Sequence, residues 1–261
     1  MQYSNIIYDI SKKAGYFLLE HFNKVSDNDI VVKTRNDFVT YVDTKSEEMI
    51  KNMILKHFPN SGFLAEESGE KNINSELIWV IDPLDGTTNF ISGIPHFCIS
   101  IALIKNNELY LGAIYNPLLD EFFYAEKKLG SFFNNKRIFI SKTQKLQNAF
   151  GATGFPFKVH HFIDEYLGSF KELFLKSKGI RRCGSAALDI AYTACGRYDY
   201  FWEAYLKPWD FLAGKLILEE AGGIITNFKR EHLWLEENSV IGTNEVLYEE
   251  IINIIDKYFY S

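Results

Sequence analysis

The chain has 261 residues, 47% hydrophobic and 24% charged, which suits one large domain or two tightly fused subdomains around a real core. Its net charge of −6 argues against non-specific nucleic-acid binding through a basic surface. An acidic protein that acts on an anion needs metal cations or a local basic patch.

Ile6, Ile10, Ala14, Phe17 and Leu18 recur at helical spacing and predict an amphipathic first helix. Asp43 precedes a second helical pattern through Met49, Ile50, Met53, Ile54 and Phe58, which Pro59, Asn60 and Gly62 stop. Residues 63–65 read as a short strand that runs into Glu66 and Glu67, and residues 78–81 as a buried strand ending at Asp82. From Ile99 to Ile140 strands dominate; residues 109–115 and 121–125 flank the turn pair Asn116-Pro117 as a hairpin. After Ser141 helices return. Residues 186–194 and 211–221 are predicted helices, Gly222-Gly223 stops the second, Ile224-Ile225 starts a strand, and Asn244 caps a final helix. Helices and strands intermix throughout, which predicts a layered α/β architecture.

Cys98, Cys183 and Cys195 are odd in number and show no CxxC spacing, so they read as buried thiols in a reducing compartment. The N-terminus shows no basic segment followed by an apolar one and a cleavage site. No apolar run approaches the roughly 20 residues that span a bilayer. A cytoplasmic location with no membrane partner is therefore expected.

The stretch IWVIDPLDGTTNF, Ile78 to Phe90, carries the chemistry. Pro83 fixes its own φ and pushes Asp82 toward an extended conformation, and Gly86 opens a turn that brings Asp85 back. Two carboxylates at one spot repel unless a cation sits between them, and Mg²⁺ prefers such oxygen ligands. A helix starting after Gly86 would aim free N–H groups at the same place, where a phosphate fits. Turn and cap roles for Asp82 and Asp85 stay open. An EF-hand loop fails because Gly93 stands where it needs Glu. An aspartyl-phosphate phosphatase needs its two Asp one residue closer together. Glu66 and Glu67 follow an apolar strand, in a loop or in a site, and Asp210 precedes a helix, as a cap or as a ligand. Together, four acids from three segments resemble the ligand set of a two-metal site, whose ions sit ~3.5–4 Å apart.

These motifs resemble the inositol monophosphatase family, within the Mg²⁺-dependent, Li⁺-sensitive sugar phosphatases, across most of the chain. Asp82-Pro83-Leu84-Asp85-Gly86-Thr87 matches its DPxDGT signature, Glu66-Glu67 its EE element, and Trp209-Asp210-Phe211-Leu212-Ala213-Gly214 its WDxxAG element. Lys33 with Asp37 to Thr40 and Asp43 resembles its mobile N-terminal loop. Arg181 to Ala187, and Gly196-Arg197 through Trp202-Glu203, resemble the bacterial branch. Ser185 stands where relatives often have Thr.

The resemblance implies an αβαβα layered sandwich of the inositol monophosphatase and fructose-1,6-bisphosphatase type. Residues 1–140 would form an α+β subdomain with most metal ligands, and residues 141–261 an α/β subdomain with Asp210 and substrate-lining residues. It implies two or three Mg²⁺ ions per active site. Glu66, Asp82 and the Leu84 carbonyl would hold the first, Asp82, Asp85 and Asp210 the second, and Glu66 would touch a weaker third. Thr87, backed by Asp43, would orient the attacking water beside Glu66. The Gly86 and Thr87 amides would hold phosphate, and Asp85 and Asp210 would also border the substrate. Gly184, Ala186 and Glu203 would line the alcohol side. The expected activity is hydrolysis of inositol 1-phosphate or a related small sugar or polyol phosphate by in-line attack of a metal-activated water, in a homodimer. Fructose 1,6-bisphosphate, histidinol phosphate, NADP and 3′-phosphoadenosine 5′-phosphate are alternative substrates. A regulatory binding protein on this scaffold is the alternative of another class. Simpler roles also stand: Asp43 as an N-cap, Lys33 as a surface lysine, and Glu203 as a structural carboxylate. Arg181 and Arg182 could serve substrate, a partner subunit or solvent. His96, after Pro95 in an apolar setting, reads as packed or hydrogen-bonded rather than as a ligand.

Overall fold

The apolar spacing of the first segment is realised in the computed structural model, which describes residues 2–25, 30–34, 37–155 and 162–260. Helix α1 (Gln2–His21) buries Ile7, Ile10, Ala14 and Leu18. In chain order follow β1 (Ile30–Thr34), β2 (Asp37–Thr40), α2 (Tyr41–His57), β3 (Gly62–Ala65), β4 (Gly69–Lys71), β5 (Leu77–Asp85), α3 (Thr87–Ile91), β6 (Cys98–Lys105) and β7 (Glu108–Asn116). Then come β8 (Glu121–Glu126), β9 (Gly130–Phe133), β10 (Lys136–Arg137), β11 (Phe150–Thr153), α4 (Ile163–Lys176), β12 (Gly179–Arg181) and α5 (Ala186–Ala194). The chain closes with β13 (Tyr200–Ala204), α6 (Pro208–Glu220), β14 (Ile224–Thr226), β15 (Ser239–Thr243) and α7 (Glu245–Phe259).

Eight strands form one sheet in the order β10-β9-β8-β7-β6-β5-β3-β4, and five form a second in the order β12-β11-β13-β15-β14. Side-chain alternation assigns the layers. On β5, Trp79 and Ile81 pack with α1 and α2, whereas Ile78 and Val80 pack with Ile190 of α5 and Ile217 of α6. On β13, Phe201 faces that same central helix layer, while Tyr200 and Trp202 face Tyr166 of α4 and Ile251 of α7. The result is α1/α2, sheet, α5/α6, sheet, α4/α7: the αβαβα sandwich expected.

Three boundaries differ from expectation, each for a local reason. Strand β5 does not stop at Asp82 but continues to Asp85. It pairs Asp82 with Ser100 and Asp85 with Cys98 across an irregularity, so one extra residue bulges at Pro83-Leu84, where the missing proline N–H is not needed. Helix α2 begins before Asp43, capped by Thr40, whose hydroxyl accepts from the Val42 amide at 3.1 Å. Helix α6 begins at Pro208, a residue pre-set for a first helical position. Asp43 and Asp210 are therefore the third residues of their helices, not the N-cap residues, and each accepts the amide of the residue that precedes its helix. The segment with Lys33 and Asp37 is the antiparallel β1–β2 hairpin, and the side chains of both lie outside the described residues. Of the cysteines only Cys98 is fully buried; Cys183 and Cys195 are partly exposed near loop ends.

Candidate active site

The bulge in β5 decides where the two acids of the DPLD stretch point. Residues three apart normally face opposite sides of a sheet. Ser100 and Cys98 are two apart on β6 and share a face, so their partners Asp82 and Asp85 share it too. That face looks into the α5/α6 layer, where Ser100 Oγ donates to the Trp209 carbonyl at 2.9 Å. Asp210 follows directly, on the first turn of α6. Glu66 enters from the neighbouring parallel strand, since β3 runs beside β5 and the Glu66 amide donates to the Ile81 carbonyl at 3.1 Å. The four acids thus meet because a bulge, a parallel strand end and a helix start coincide.

Their electrostatics match that convergence. Asp82 is 2% exposed, and its Oδ1 accepts from the Leu84 amide at 2.9 Å. Burial, then repulsion from Glu66, Asp85 and Asp210, pushes its carboxyl well above the usual range. Asp210 is pushed well above as well, by burial, Asp85 and Glu66, against a 2.6 Å bond from the Lys207 amide to its Oδ2. Burial pushes Asp85 up to about 6, restrained by Ser185 Oγ and the Ala187 amide, which donate to its Oδ2 at 2.6 and 2.8 Å. Among the described residues, no basic group stands among the leading causes acting on Asp82, Asp85 or Asp210. Carboxylates pressed together in this way suit hard divalent cations, and the all-oxygen donor set fits Mg²⁺.

Beside the acids stands a hydroxyl. Thr87 Oγ1 lies 3.0 Å from both Asp43 Oδ1 and the Leu84 carbonyl, and its single hydrogen can serve one of them at a time. Asp43, 1% exposed, is held by the Thr40 amide and hydroxyl on Oδ2 at 2.8 and 2.7 Å. Burial still raises its carboxyl against these donors. Gly86, at φ 99°, turns the chain into α3; a Cβ there would lie 3.0 Å from the His96 carbonyl, so only glycine fits without strain.

The opposite wall comes from the second sheet and α5. Glu203 leaves β13, and burial, with Asp85 adding repulsion, pushes its carboxyl up to about 8 against the pull of Arg182. Gly154 makes room for it: a Cβ there would lie 1.8 Å from Glu203 Oε1. Ser185 caps α5, and Ala186 begins it. Gly184, in the turn before, approaches Asn89 and Arg182.

The structure therefore brings Glu66, Asp82, Leu84, Asp85, Thr87, Asp43 and Asp210 together, with Gly86 at the turn and Glu203, Gly184 and Ala186 across from them. Several supports escaped the sequence reading. Ser46 Oγ donates to the Pro83 carbonyl at 3.2 Å, and Glu47 Oε2 accepts from the Glu67 amide at 2.8 Å. With Asp43 they continue the buried stripe of α2 through Ile50 and Ile54, so one helix face touches all three N-terminal motif segments. Polar residues on an otherwise buried stripe were the available signal. Asn89, Ser185 as the holder of Asp85, and Gly154 gave none, because their partners are distant in sequence.

A family model described as "Inositol monophosphatase family" matches residues 2–259. The chain is 40% identical to the fructose-1,6-bisphosphatase/inositol-1-monophosphatase of Aquifex aeolicus, over 94% of this chain and 92% of that one. It is 39% identical to the Nus factor SuhB of Escherichia coli K12, over 97% and 96%. Among solved structures, the extragenic suppressor protein suhB from Bartonella henselae superposes with a TM-score of 0.94 at 38% identity, covering 98% of this chain and 99% of that one.

Proposed function

The chain belongs to the inositol monophosphatase family, and from that premise we propose that it is a Mg²⁺-dependent phosphomonoesterase of inositol 1-phosphate or a related small sugar or polyol phosphate. The observation that carries this reading is the set of four mutually repelling carboxylates beside the Thr87–Asp43 hydroxyl pair. Glu66, Asp82, the Leu84 carbonyl, Asp85 and Asp210 would hold two or three Mg²⁺ ions, which when bound supply Lewis acidity and charge neutralisation.

The chain's own groups do the rest. Asp43 accepts the Thr87 hydrogen, which turns the Thr87 lone pairs toward an incoming water and fixes its orientation. Glu66 takes the proton that this water sheds. The Gly86 and Thr87 amides meet the phosphate oxygens. Ser185 and the α5 amides hold Asp85 in place through the cycle. Glu203 accepts a hydrogen bond from a substrate hydroxyl, with Gly184 and Ala186 bordering the same alcohol. Positioning and charge placement carry the catalysis, without a covalent phosphoenzyme. A homodimer in the cytoplasm is part of the proposal.

The test is phosphate release from inositol 1-phosphate, fructose 1,6-bisphosphate, histidinol phosphate, NADP and 3′-phosphoadenosine 5′-phosphate, each with Mg²⁺, with Mg²⁺ plus Li⁺, and with EDTA. Metal-dependent, Li⁺-blocked release is expected, and the best substrate names the branch. Release that EDTA leaves untouched would overturn the metal assignment. The likeness to a relative named a Nus factor favours a second reading, a regulatory binding protein on the same scaffold. It predicts that Asp82→Asn abolishes turnover yet supports growth as well as wild type does.

A further inference from the structure

Behind the alcohol wall lies a second cluster, built of three different donor types. A nitrogen of His96, the sulfur of Cys183 and a carboxylate oxygen of Asp189 lie within 4.8 Å of one another. His96 comes from the loop between α3 and β6, Cys183 from the turn after β12, and Asp189 from the first turn of α5. Asn89 staples the two loops, its Nδ2 donating to the His96 carbonyl at 2.7 Å and the Cys183 carbonyl at 2.9 Å. Asp189 is 1% exposed, and neither its Oδ1 nor His96 Nε2 has a hydrogen-bond partner among the described residues. The two atoms stand 3.8 Å apart, too far for a hydrogen bond. The histidine expected to be packed or hydrogen-bonded is packed, against Tyr192, but its Nε2 has no such bond.

We propose that His96, Cys183 and Asp189 form a binding site for one divalent cation of the zinc class, separate from the oxygen-lined centre. A thiolate and a carboxylate neutralise a dication, and a neutral imidazole completes three protein ligands with one position open. Mixed sulfur, nitrogen and oxygen donors favour a borderline ion over Mg²⁺, whereas the catalytic acids offer oxygen alone. Tetrahedral zinc places its N and O ligands about 3.3 Å apart, so the 3.8 Å pair needs only slight contraction. The loops held by Asn89 and the buried Asp189, whose Oδ1 has no partner among the described residues, are the features of a built site. Glu203 and Asp85 add negative potential at Asp189, against the opposite pull of Arg182. Burial keeps His96 neutral and the free Cys183 thiol protonated and pushes the Asp189 carboxyl well above its usual range, so binding releases the thiol proton and whatever proton Asp189 holds to solvent. Cys183 is partly exposed, which gives the ion an entry. Tyr198 Oη, 3.5 Å from Cys183 Sγ, borders the open position.

The test titrates Co²⁺ into the full-length protein already saturated with Mg²⁺ and reads the sulfur-to-cobalt charge-transfer absorption. One equivalent should produce the band, Zn²⁺ should abolish it, and Zn²⁺ should raise the melting temperature above the Mg²⁺ value. Cys183→Ala should remove the band while Cys195→Ala keeps it. His96→Gln should weaken Co²⁺ binding by more than about tenfold and remove the Zn²⁺-induced thermal shift. No sulfur band in the wild type overturns the proposal, whatever the variants do. So does a band that persists in Cys183→Ala, which would assign it to Cys98 beside the catalytic acids. If Cys183→Ala does not fold, full-strength binding by His96→Gln overturns it equally. None of these readouts depends on phosphatase activity.

Discussion

Asp43 and Asp210 hold the same local position in different surroundings. Each is the third residue of a helix, and each bonds back to the amide of the residue before that helix, at 2.8 and 2.6 Å. Around Asp43 the remaining neighbours are donors, the hydroxyls of Thr40 and Thr87. Around Asp210 they are the acids Asp85, Glu66 and Glu203. The capping bond fixes where a carboxylate goes, and the neighbours decide what it can do there. Donors offset part of what burial costs the Asp43 anion and line it up with a hydroxyl. Repulsion leaves Asp210 in need of a cation.

The largest expected effect tests the acid side. Asp210→Asn should cut Mg²⁺-dependent turnover by about 10³-fold, yet raise the melting temperature in EDTA, because it removes a repelling charge. Asp43→Asn should cut turnover by about 10- to 100-fold and lower the melting temperature with or without Mg²⁺, because the new NH2 group would face donors from Thr40 or Thr87 in place of an acceptor oxygen. Shifts of the same sign in EDTA would break the comparison.

Acidity sharpens it next. The Glu203 carboxyl keeps its proton to about pH 8 in the fold, against an ordinary value of 4.5. The native state therefore binds more protons across that window, and metal-free stability should fall as pH rises through it. After solvent screening the loss should be on the order of 1–3 kcal/mol, read by denaturant melts at pH 5 and pH 8 in EDTA. Glu203→Gln should flatten the slope.

Gly154→Ala should push the Glu203 carboxylate aside and raise KM about tenfold, with kcat less affected; an unchanged KM would remove Glu203 from the alcohol side. The smallest effect belongs to the cap. Thr40→Ala should cost about 1 kcal/mol in urea unfolding and leave Asp82, Asp85 and Asp210 in place, with the residue 40 amide still holding Asp43.

Much of this site was legible because its parts are contiguous. DPLDGT holds a proline, a glycine and two acids within six residues, and Glu66 and Trp209-Asp210 sit at the ends of readable apolar elements. The helix over residues 186–194 has the bounds expected of it, whereas α4 and the strands beside it were not placed one by one. The misread boundaries share one cause. The stop expected at Asp82 rested on Pro83 alone, and pairing with β6 overrode it by bulging the strand. The starts of α2 and α6 were placed too late, because Thr40 and Pro208 lie outside the apolar repeat that marked each helix.

By itself the sequence determined the layered α/β class, most of the elements, and the acids and hydroxyls that form the centre, because apolar period and turn chemistry act over a few residues. Only the tertiary structure decided that Asp82 and Asp85 share a face, since that depends on a bulge defined by a partner strand. It also decided that Ser185 and Ala187 grip Asp85 across a hundred residues of chain, and that Asn89 draws His96 toward Cys183. Those contacts join distant segments, and long-range packing fixes them where no local pattern records the partner.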